Sequence, residues 1–307
     1  MVRHRIVSLL PSATEIICGL GCADGLVGRS HECDFPAEIS DVPICTRSKV
    51  DPNATSANID AAVKALSEKS EPLFEIDGKL LRELNPEIII SQSQCDVCAV
   101  SDQDVAALIS KWPGNRPQVV SLNASKFAHL WDDIGQVAAA LQAKEEGKEY
   151  IKELKVRVAD VIEGACQTVT RPRVLCLEWL EPLMSAGNWV PDMVSIAGGD
   201  NLISTSGEHS GWLTMEEVVA AKPDVIVMMP CGFGLEQTRR EAETLSNDPN
   251  WQKLKAVKRG QVYAVDGSSY FNRPGPRLID SLEMLAAMIH SGRQDFGHEG
   301  TAWLRIQ

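Results

Sequence analysis

Two short stretches of this chain repeat one another. RELNPE at 82–87 runs into the branched apolar segment IIIS, and AAKPD at 220–224 runs into VIVMM. In each, a helix-forming segment meets an X-Pro-acid step, where proline and the residue before it resist continuing a helix. The uninterrupted apolar run that follows suits a strand covered on both faces, as in a parallel sheet. Two such helix–Pro-acid–strand units require an alternating α/β architecture. The repeat favours a duplicated α/β domain over one continuous sheet. At 307 residues the chain has room for two domains of about 100–150 residues each.

The two lobes also open alike. Residues 5–9 read as a strand, PSATE at 11–15 opens a helix, and Gly19 to Gly21 closes it. In the second lobe RVLCL at 173–177 reads as a strand that ends on the acidic-aromatic step Glu178-Trp179. A loop bearing Pro and Gly follows, then a helix from Val190 that stops at Gly198-Gly199. Further strands are expected at 25–29, 88–91 and 118–122, then at 225–229 and 262–265. Helices are expected at 14–20, 58–65, 79–84 and 101–111, and at 190–197, 214–221, 236–245 and 277–290. Between the lobes, Phe127, Leu130, Ile134, Val137, Ala138 and Leu141, then Ile151, Leu154, Val158 and Ile162, recur at helical spacing without a proline. That pattern predicts one long helix, or two with a break near Gly147. The expected organisation is an N-terminal α/β lobe at 1–125, a linking long helix at 126–170 and a C-terminal α/β lobe at 171–307.

A net charge of −12 argues against nucleic acid as the main partner, since phosphate binding needs clustered Lys and Arg. No apolar stretch approaches the roughly 20 residues that span a bilayer, so no membrane insertion is expected. The run IVSLL near the N-terminus is short for a signal-peptide core and reads better as the first strand. With Met1 as the native start the expected home is the cytoplasm; with a leader removed it is the periplasm or the exterior. Nine cysteines, odd in number and irregularly spaced, read as mostly reduced rather than as a disulfide framework.

Several residues sit where loops leave the carboxyl ends of buried strands, the usual place for ligand sites in α/β proteins. His31-Glu32-Cys33-Asp34 follows the second strand, Cys95-Asp96-Val97-Cys98 follows IIIS, and Cys231 lies in PCGFG after VIVMM. Thiolates and imidazole are ligands for zinc or iron-sulfur clusters, so Cys33, Cys95, Cys98 and Cys231, with His31, form one candidate metal set. The alternative for Cys95 and Cys98 is a structural or ligand-contacting role. Trp supplies seven of sixteen aromatic residues, and Trp179, Trp189 and Trp212 with Tyr270-Phe271 lie in or beside expected loops of the second lobe. Such residues form walls for a large planar ligand or simply pack the core. Glu178 is a ligand acceptor, a base or a solvated carboxylate. No G-x-S-x-G elbow, phosphate loop or dinucleotide fingerprint occurs, so site walls are present without a catalytic engine.

The segments RIVSLLPSATEIICGLGCADGLVGRSHECDFP (5–36), ELNPEIIIS (83–91), EWLEPLMSAGNWVPDMVSIAGGDNLI (178–203), LTMEEVVAAKPDVIVM (213–228) and PGPRLIDSLEML (274–285) together resemble the metal-chelate class of substrate-binding proteins. These bind cobalamin, haem and iron-siderophores, and the resemblance is nearest to the cobalamin binders. It implies two Rossmann-like α/β lobes joined by one long helix, a ligand cleft between the lobes, and binding without enzymatic chemistry. It implies cobalamin or a related corrinoid as the ligand. It places ligand contacts at Ser12 and Thr14, at His31 and Glu32, in the segment Thr46–Lys49 with Arg47, at Glu178, Trp179 and Trp189, and at Phe271, and Cys95 joins them on this reading. It also implies an ABC permease partner that docks on one acidic residue per lobe. The second-lobe position matches Glu216, while the first-lobe position falls on Lys79, with Asp77 beside it. Residues 51–77 read as an insertion, and the Cys95-x-x-Cys98 and His31-Glu32-Cys33 features depart from ordinary cobalamin binders. The alternative is a cytoplasmic metalloprotein or enzyme with a Cys/His zinc or iron-sulfur site on the same fold.

Overall fold

In the computed structural model the described residues are 4–93, 100, 102–110, 112, 116–290 and 295–306. They fall into two units, and the chain changes unit after Asp51, Asp60, Ala124, Phe127 and Glu153.

The first unit runs β1 (Ile6–Ser8), α1 (Pro11–Gly19), β2 (Leu26–Arg29), β3 (Thr46–Ser48), α2 (Ser56–Glu68), β4 (Phe74–Ile76), α3 (Gly78–Leu84), β5 (Ile88–Gln92), α4 (Asp102–Ser110), β6 (Gln118–Leu122), α5 (His129–Ala140) and the start of α6 (Lys144–Cys166). Its main sheet has the order β2-β1-β5-β6 with every pairing parallel. Ile88, Ile89 and Ile90 are buried, as a doubly covered central strand requires. Val7, Leu9, Leu81, Ile89, Val105, Ile109 and Trp112 form a core against it. β3 and β4 make a separate antiparallel pair.

The second unit continues with β7 (Arg173–Leu180), β8 (Leu183–Ser185), α7 (Val190–Ile196), β9 (Asp200–Asn201), α8 (Met215–Ala221), β10 (Val225–Met228), α9 (Leu235–Leu245), α10 (Lys255–Lys258), β11 (Val262–Val265), α11 (Leu278–Ile289) and β12 (Trp303–Ile306). The order is β12-β11-β10-β7-β8, with β9 also on β7. β7, β10 and β11 are mutually parallel and β12 is an antiparallel edge. Leu175, Leu177, Ile226, Met228, Ala256 and Val262 lie at the centre of its core.

The repeated X-Pro-acid step has the same structure twice. α3 ends in left-handed Asn85 (φ 43°) and α8 ends in left-handed Lys222 (φ 48°). The Arg5 N–H donates to Glu87 Oε2 at 3.1 Å and the Glu87 N–H returns to the Arg5 carbonyl at 2.8 Å. The Arg173 N–H donates to Asp224 Oδ2 at 3.1 Å and the Asp224 N–H returns to the Arg173 carbonyl at 2.8 Å. Each arginine side chain then reaches the last carbonyl of the preceding helix, Leu84 at 3.1 Å and Ala221 at 2.6 Å. One clasp, used twice, sets the register of a central strand pair in each unit.

The linker stretch forms two helices. α5 stops at Ala140, Gln142 adopts φ 57°, and α6 runs for 23 residues from Lys144. The turn comes before Gly147, because Gln142 takes the left-handed conformation there. Within the second unit, residues 52–60 are fastened to α9. Gln237 Nε2 donates to the Pro52 and Ala54 carbonyls at 3.0 and 3.2 Å, and Glu241 Oε2 accepts from the Ser56 N–H and hydroxyl at 3.1 and 2.6 Å.

Asp133, on α5, is a buried acid. Burial raises its carboxyl pKa to about 6, against the opposing effect of the Asn123 and Ala124 backbone N–H groups that bond it. Its Oδ2 has no hydrogen-bond partner among the described residues. A folded-state pKa above the unfolded value means that the native state holds the extra proton, so stability falls as pH rises from about 4 to about 6. At 1.36 kcal/mol per pKa unit the penalty above that window is roughly 3 kcal/mol. The stability of Asp133→Asn relative to the natural chain is therefore expected to increase between pH 4 and pH 7 by about that amount, read from urea melts. A flat difference would exclude Asp133 as the source.

Candidate functional site

In the first unit the carboxyl ends of β1 and β2 lie side by side, with Ser8 opposite Arg29. Pro11 opens α1, where its missing N–H costs nothing, and Leu10 at the cap position offers no side-chain acceptor. Ser12, in that first turn, is buried and its hydroxyl has no hydrogen-bond partner among the described residues. A buried unpaired polar atom costs about 1–3 kcal/mol, so it calls for a partner.

Thr14 and Cys33 are committed to structure. Ser8 Oγ donates to the Leu10 carbonyl at 3.0 Å, and Thr14 Oγ1 donates to Ser8 Oγ at 2.8 Å. Cys33 Sγ, fully buried, sits 3.0 Å from the same threonine oxygen. This ties the loop after β2 to α1. Elsewhere burial pushes the Cys45 thiol up to about 11. Cys18 rises to about 12 through burial first and then nearby Glu38. Such thiols stay protonated and are poor ligands and nucleophiles.

His31 is held differently. Its Nδ1 lies 2.7 Å from Thr46 Oγ1, its backbone N–H donates to the same oxygen at 3.0 Å, and Ser30 Oγ is 3.0 Å from it. The ring is tilted against Phe74 at 5.7 Å. Burial lowers its pKa, favouring the neutral imidazole. The Glu32 N–H donates to Ser30 Oγ at 3.3 Å. Arg47 does not join this group: side chains alternate along a strand, and Arg47 points away from buried Thr46. It is 78% exposed and pairs across the hairpin with Glu75, Nε to Oε2 at 2.6 Å.

In the second unit Glu178 and Trp179 belong to β7 itself rather than to a loop, because the strand continues to Leu180 and turns back through Pro182 into β8. One extra residue, Glu178, bulges between the pairs Leu177–Ser185 and Trp179–Met184. Glu178 Oε2 accepts from the Ser210 hydroxyl at 2.7 Å, and Ser210 Oγ accepts from the Gly187 N–H at 3.0 Å. Trp179 packs on Phe233 at 5.2 Å, and its indole N–H has no partner among the described residues. The Cys231 N–H donates to the Glu178 carbonyl at 3.1 Å.

Trp189 and Phe271 take a different part from the walls expected of them. Both are buried, at 6% and 0% exposure, and Trp189 Nε1 donates to the Phe271 carbonyl at 2.8 Å. They fasten the single π-helical turn Gly267–Phe271 to the core. Sequence reasoning missed Ser210 and Phe233, the latter next but one to the cysteine that drew attention. Thr46 falls in the segment that the resemblance places at the ligand, and its part is to hold His31.

Cys95 and Cys98 lie outside the described residues. Among those described, the group able to gather around a metal is Asp280, Glu283 and His298, and it contains no cysteine. Arg157 already occupies that group. Cys33 faces Thr14, and no cysteine belongs to the metal-competent group among the described residues, so the zinc or iron-sulfur reading gains no support.

A family model described as periplasmic binding protein matches residues 6–268. An uncharacterised ABC transporter substrate-binding lipoprotein, YvrC of Bacillus subtilis, is 24% identical over 295 residues, covering 93% of this chain and 80% of that protein. The vitamin B12-binding protein of Vibrio cholerae is 23% identical over 303 residues, covering 93% and 89%. Among solved structures, the periplasmic haem-binding protein RhuT of Roseiflexus in apo form superposes with a TM-score of 0.70 at 22% identity, covering 94% and 98%.

Proposed function

The chain belongs to the periplasmic binding protein family, and from that premise we propose that it binds a large metal chelate, cobalamin or a related corrinoid, through loops at the carboxyl ends of its parallel strands, without chemistry on the ligand. The carrying observation is that two buried polar atoms near the carboxyl ends of parallel strands, one in each unit, have no partner among the described residues. Ser12 Oγ follows β1, and Trp179 Nε1 ends β7. Each is the kind of group that a peripheral carbonyl or amide of a ligand satisfies. Trp179 and Phe233 supply apolar surface. Relatives named for vitamin B12 and for haem support the ligand class.

On this reading the chain hands its ligand to an ABC permease. Glu216 stands exposed in the first turn of α8, in a helix start fixed by the Thr214–Glu217 capping box. Lys79 is exposed at the start of α3 and lies 3.8 Å from Glu83. The names of the relatives, periplasmic or lipoprotein, favour a home outside the cytoplasm. No described helix is long and apolar enough to cross a membrane.

Calorimetric titration with cobalamin and with haemin is expected to show saturable binding at one of them. A hundredfold excess of ligand over Kd then raises stability by about 2.7 kcal/mol. Ser12→Ala and Trp179→Phe are each expected to weaken binding about tenfold, the usual order for one hydrogen bond of roughly 1 kcal/mol or more. No heat and no thermal shift with either chelate would exclude the reading.

A further inference from the structure

We propose that His31 Nε2 is the axial ligand to the metal of the bound chelate, set in place by the Thr46 hydroxyl. The inference rests on the chelate-binding reading and goes further, because it selects among chelates. A histidine that binds metal through one ring nitrogen is usually held through the other, and that second bond fixes tautomer and orientation. His31 has this arrangement ready. Nδ1 is bound to Thr46 Oγ1 at 2.7 Å, while Nε2 makes no hydrogen bond among the described residues. Thr46 is itself fixed, since its oxygen receives the His31 backbone N–H and its hydroxyl can donate to Ser30 Oγ. That frees Nδ1–H to donate to Thr46 and leaves the Nε2 lone pair for a metal. Phe74 packs beside the ring, so the imidazole cannot swing without losing that contact. His31 is half-exposed, follows β2, and, like the Ser12 hydroxyl that has no partner among the described residues, comes after the carboxyl end of the parallel β1–β2 pair.

Coordination from the protein requires a metal with an exchangeable axial position. Aquocobalamin and ferric haem have one. Dicyanocobinamide, with both axial positions held by cyanide, does not, and neither does a ferric ion wrapped by a hexadentate siderophore. Cobalt and iron both accept imidazole.

The test is absorption-monitored titration of the full chain with aquocobalamin, haemin and dicyanocobinamide. For aquocobalamin or haemin the spectrum is expected to shift to that of an imidazole-bound metal. His31→Ala should abolish the shift and weaken binding by roughly a hundredfold, and Thr46→Val, similar in shape, should weaken it by about tenfold, within the range for lost second-shell support. Dicyanocobinamide should bind the natural chain and His31→Ala alike. A shift that survives His31→Ala, or dicyanocobinamide bound as tightly as aquocobalamin, would overturn the assignment while leaving chelate binding intact. Failure of the natural chain to bind any of the three removes the chelate reading itself, and the axial ligand with it. Thr46→Val leaves the histidine in place, so a spectral change in that variant separates orientation of the ring from loss of the fold.

Discussion

Exchanging Arg157 for alanine is expected to lower the unfolding free energy by about 2–4 kcal/mol. Arg157 rises from α6 and donates through Nε and Nη2 to Glu283 at 2.9 and 2.7 Å, and through Nη2 to Asp280 as well. Both acids sit on α11, and Glu283 is almost fully buried. Burial works against the guanidinium charge, yet the two carboxylates outweigh it and hold the arginine protonated. Removing the cation leaves buried Glu283 and neighbouring Asp280 without the charge that balances them, with His298 Nε2 3.4 Å from Glu283, and this costs more than the pairing itself gains. Arg157 is 39% exposed, which places the loss below the top of the range for a fully buried pair. The control is the double variant Arg157→Met with Glu283→Leu. It is expected to recover most of the loss, because the buried carboxylate disappears together with the cation that balanced it. Urea melts of the three proteins decide the matter. A single variant within about 0.5 kcal/mol of the natural chain would show that the network is only a surface feature.

The second large effect is expected at Gly267, where alanine should cost about 2–3 kcal/mol and disturb the loop beside Trp179. A Cβ there would collide with the Pro230 carbonyl oxygen and lie 2.8 Å from the Met229 carbonyl carbon. Those are backbone atoms, and they cannot turn aside as a side chain does. The Ser268 N–H donates to the Phe233 carbonyl at 3.0 Å, and Asn272 Nδ2 bridges the Met229 and Gly267 carbonyls at 2.9 and 3.0 Å. The turn therefore moves with the 229–233 segment or not at all. Gly234→Ala is the control, since nothing lies within 4 Å of its added carbon. Chelate affinity should drop in Gly267→Ala and stay level in Gly234→Ala. Equal stability and affinity in the two variants would sink the argument.

Much of the fold is legible in the residues alone. The runs at 88–91 and 225–229 announce buried parallel strands because they are long, branched and uninterrupted, and Gln118–Leu122 stands as expected. The helices at 190 and 214 start where Pro191 and the Thr214–Glu217 box start them. β3, β4, β8 and β9 leave no such trace, since strands of three residues or fewer are too short for any alternation to register. The apolar run of β7 breaks at Glu178, so the sequence points to a strand end at Leu177. The bulge absorbs that acid, and the strand goes on.

The site divides along similar lines. Strand ends identify His31, Glu178 and Trp179 from topology, and Ser12 comes from the family resemblance. Their roles do not follow. Which ring nitrogen of His31 is anchored, and which indole N–H is unpaired among the described residues, depends on Thr46 and on the surroundings of Trp179. Both are matters of contact between segments far apart in the chain. Trp189 and Phe271 look like exposed walls from composition, and their mutual hydrogen bond turns them inward.

The matched clasps at Arg5 with Glu87 and at Arg173 with Asp224 bear on how such a molecule arises and can be taken apart. Each is closed by residues of a single half, so strand alignment there is dictated on the spot. Copying a half-length gene would reproduce such a device without inventing it a second time. An engineer cutting the polypeptide between the halves would leave both alignment devices whole in their separate fragments.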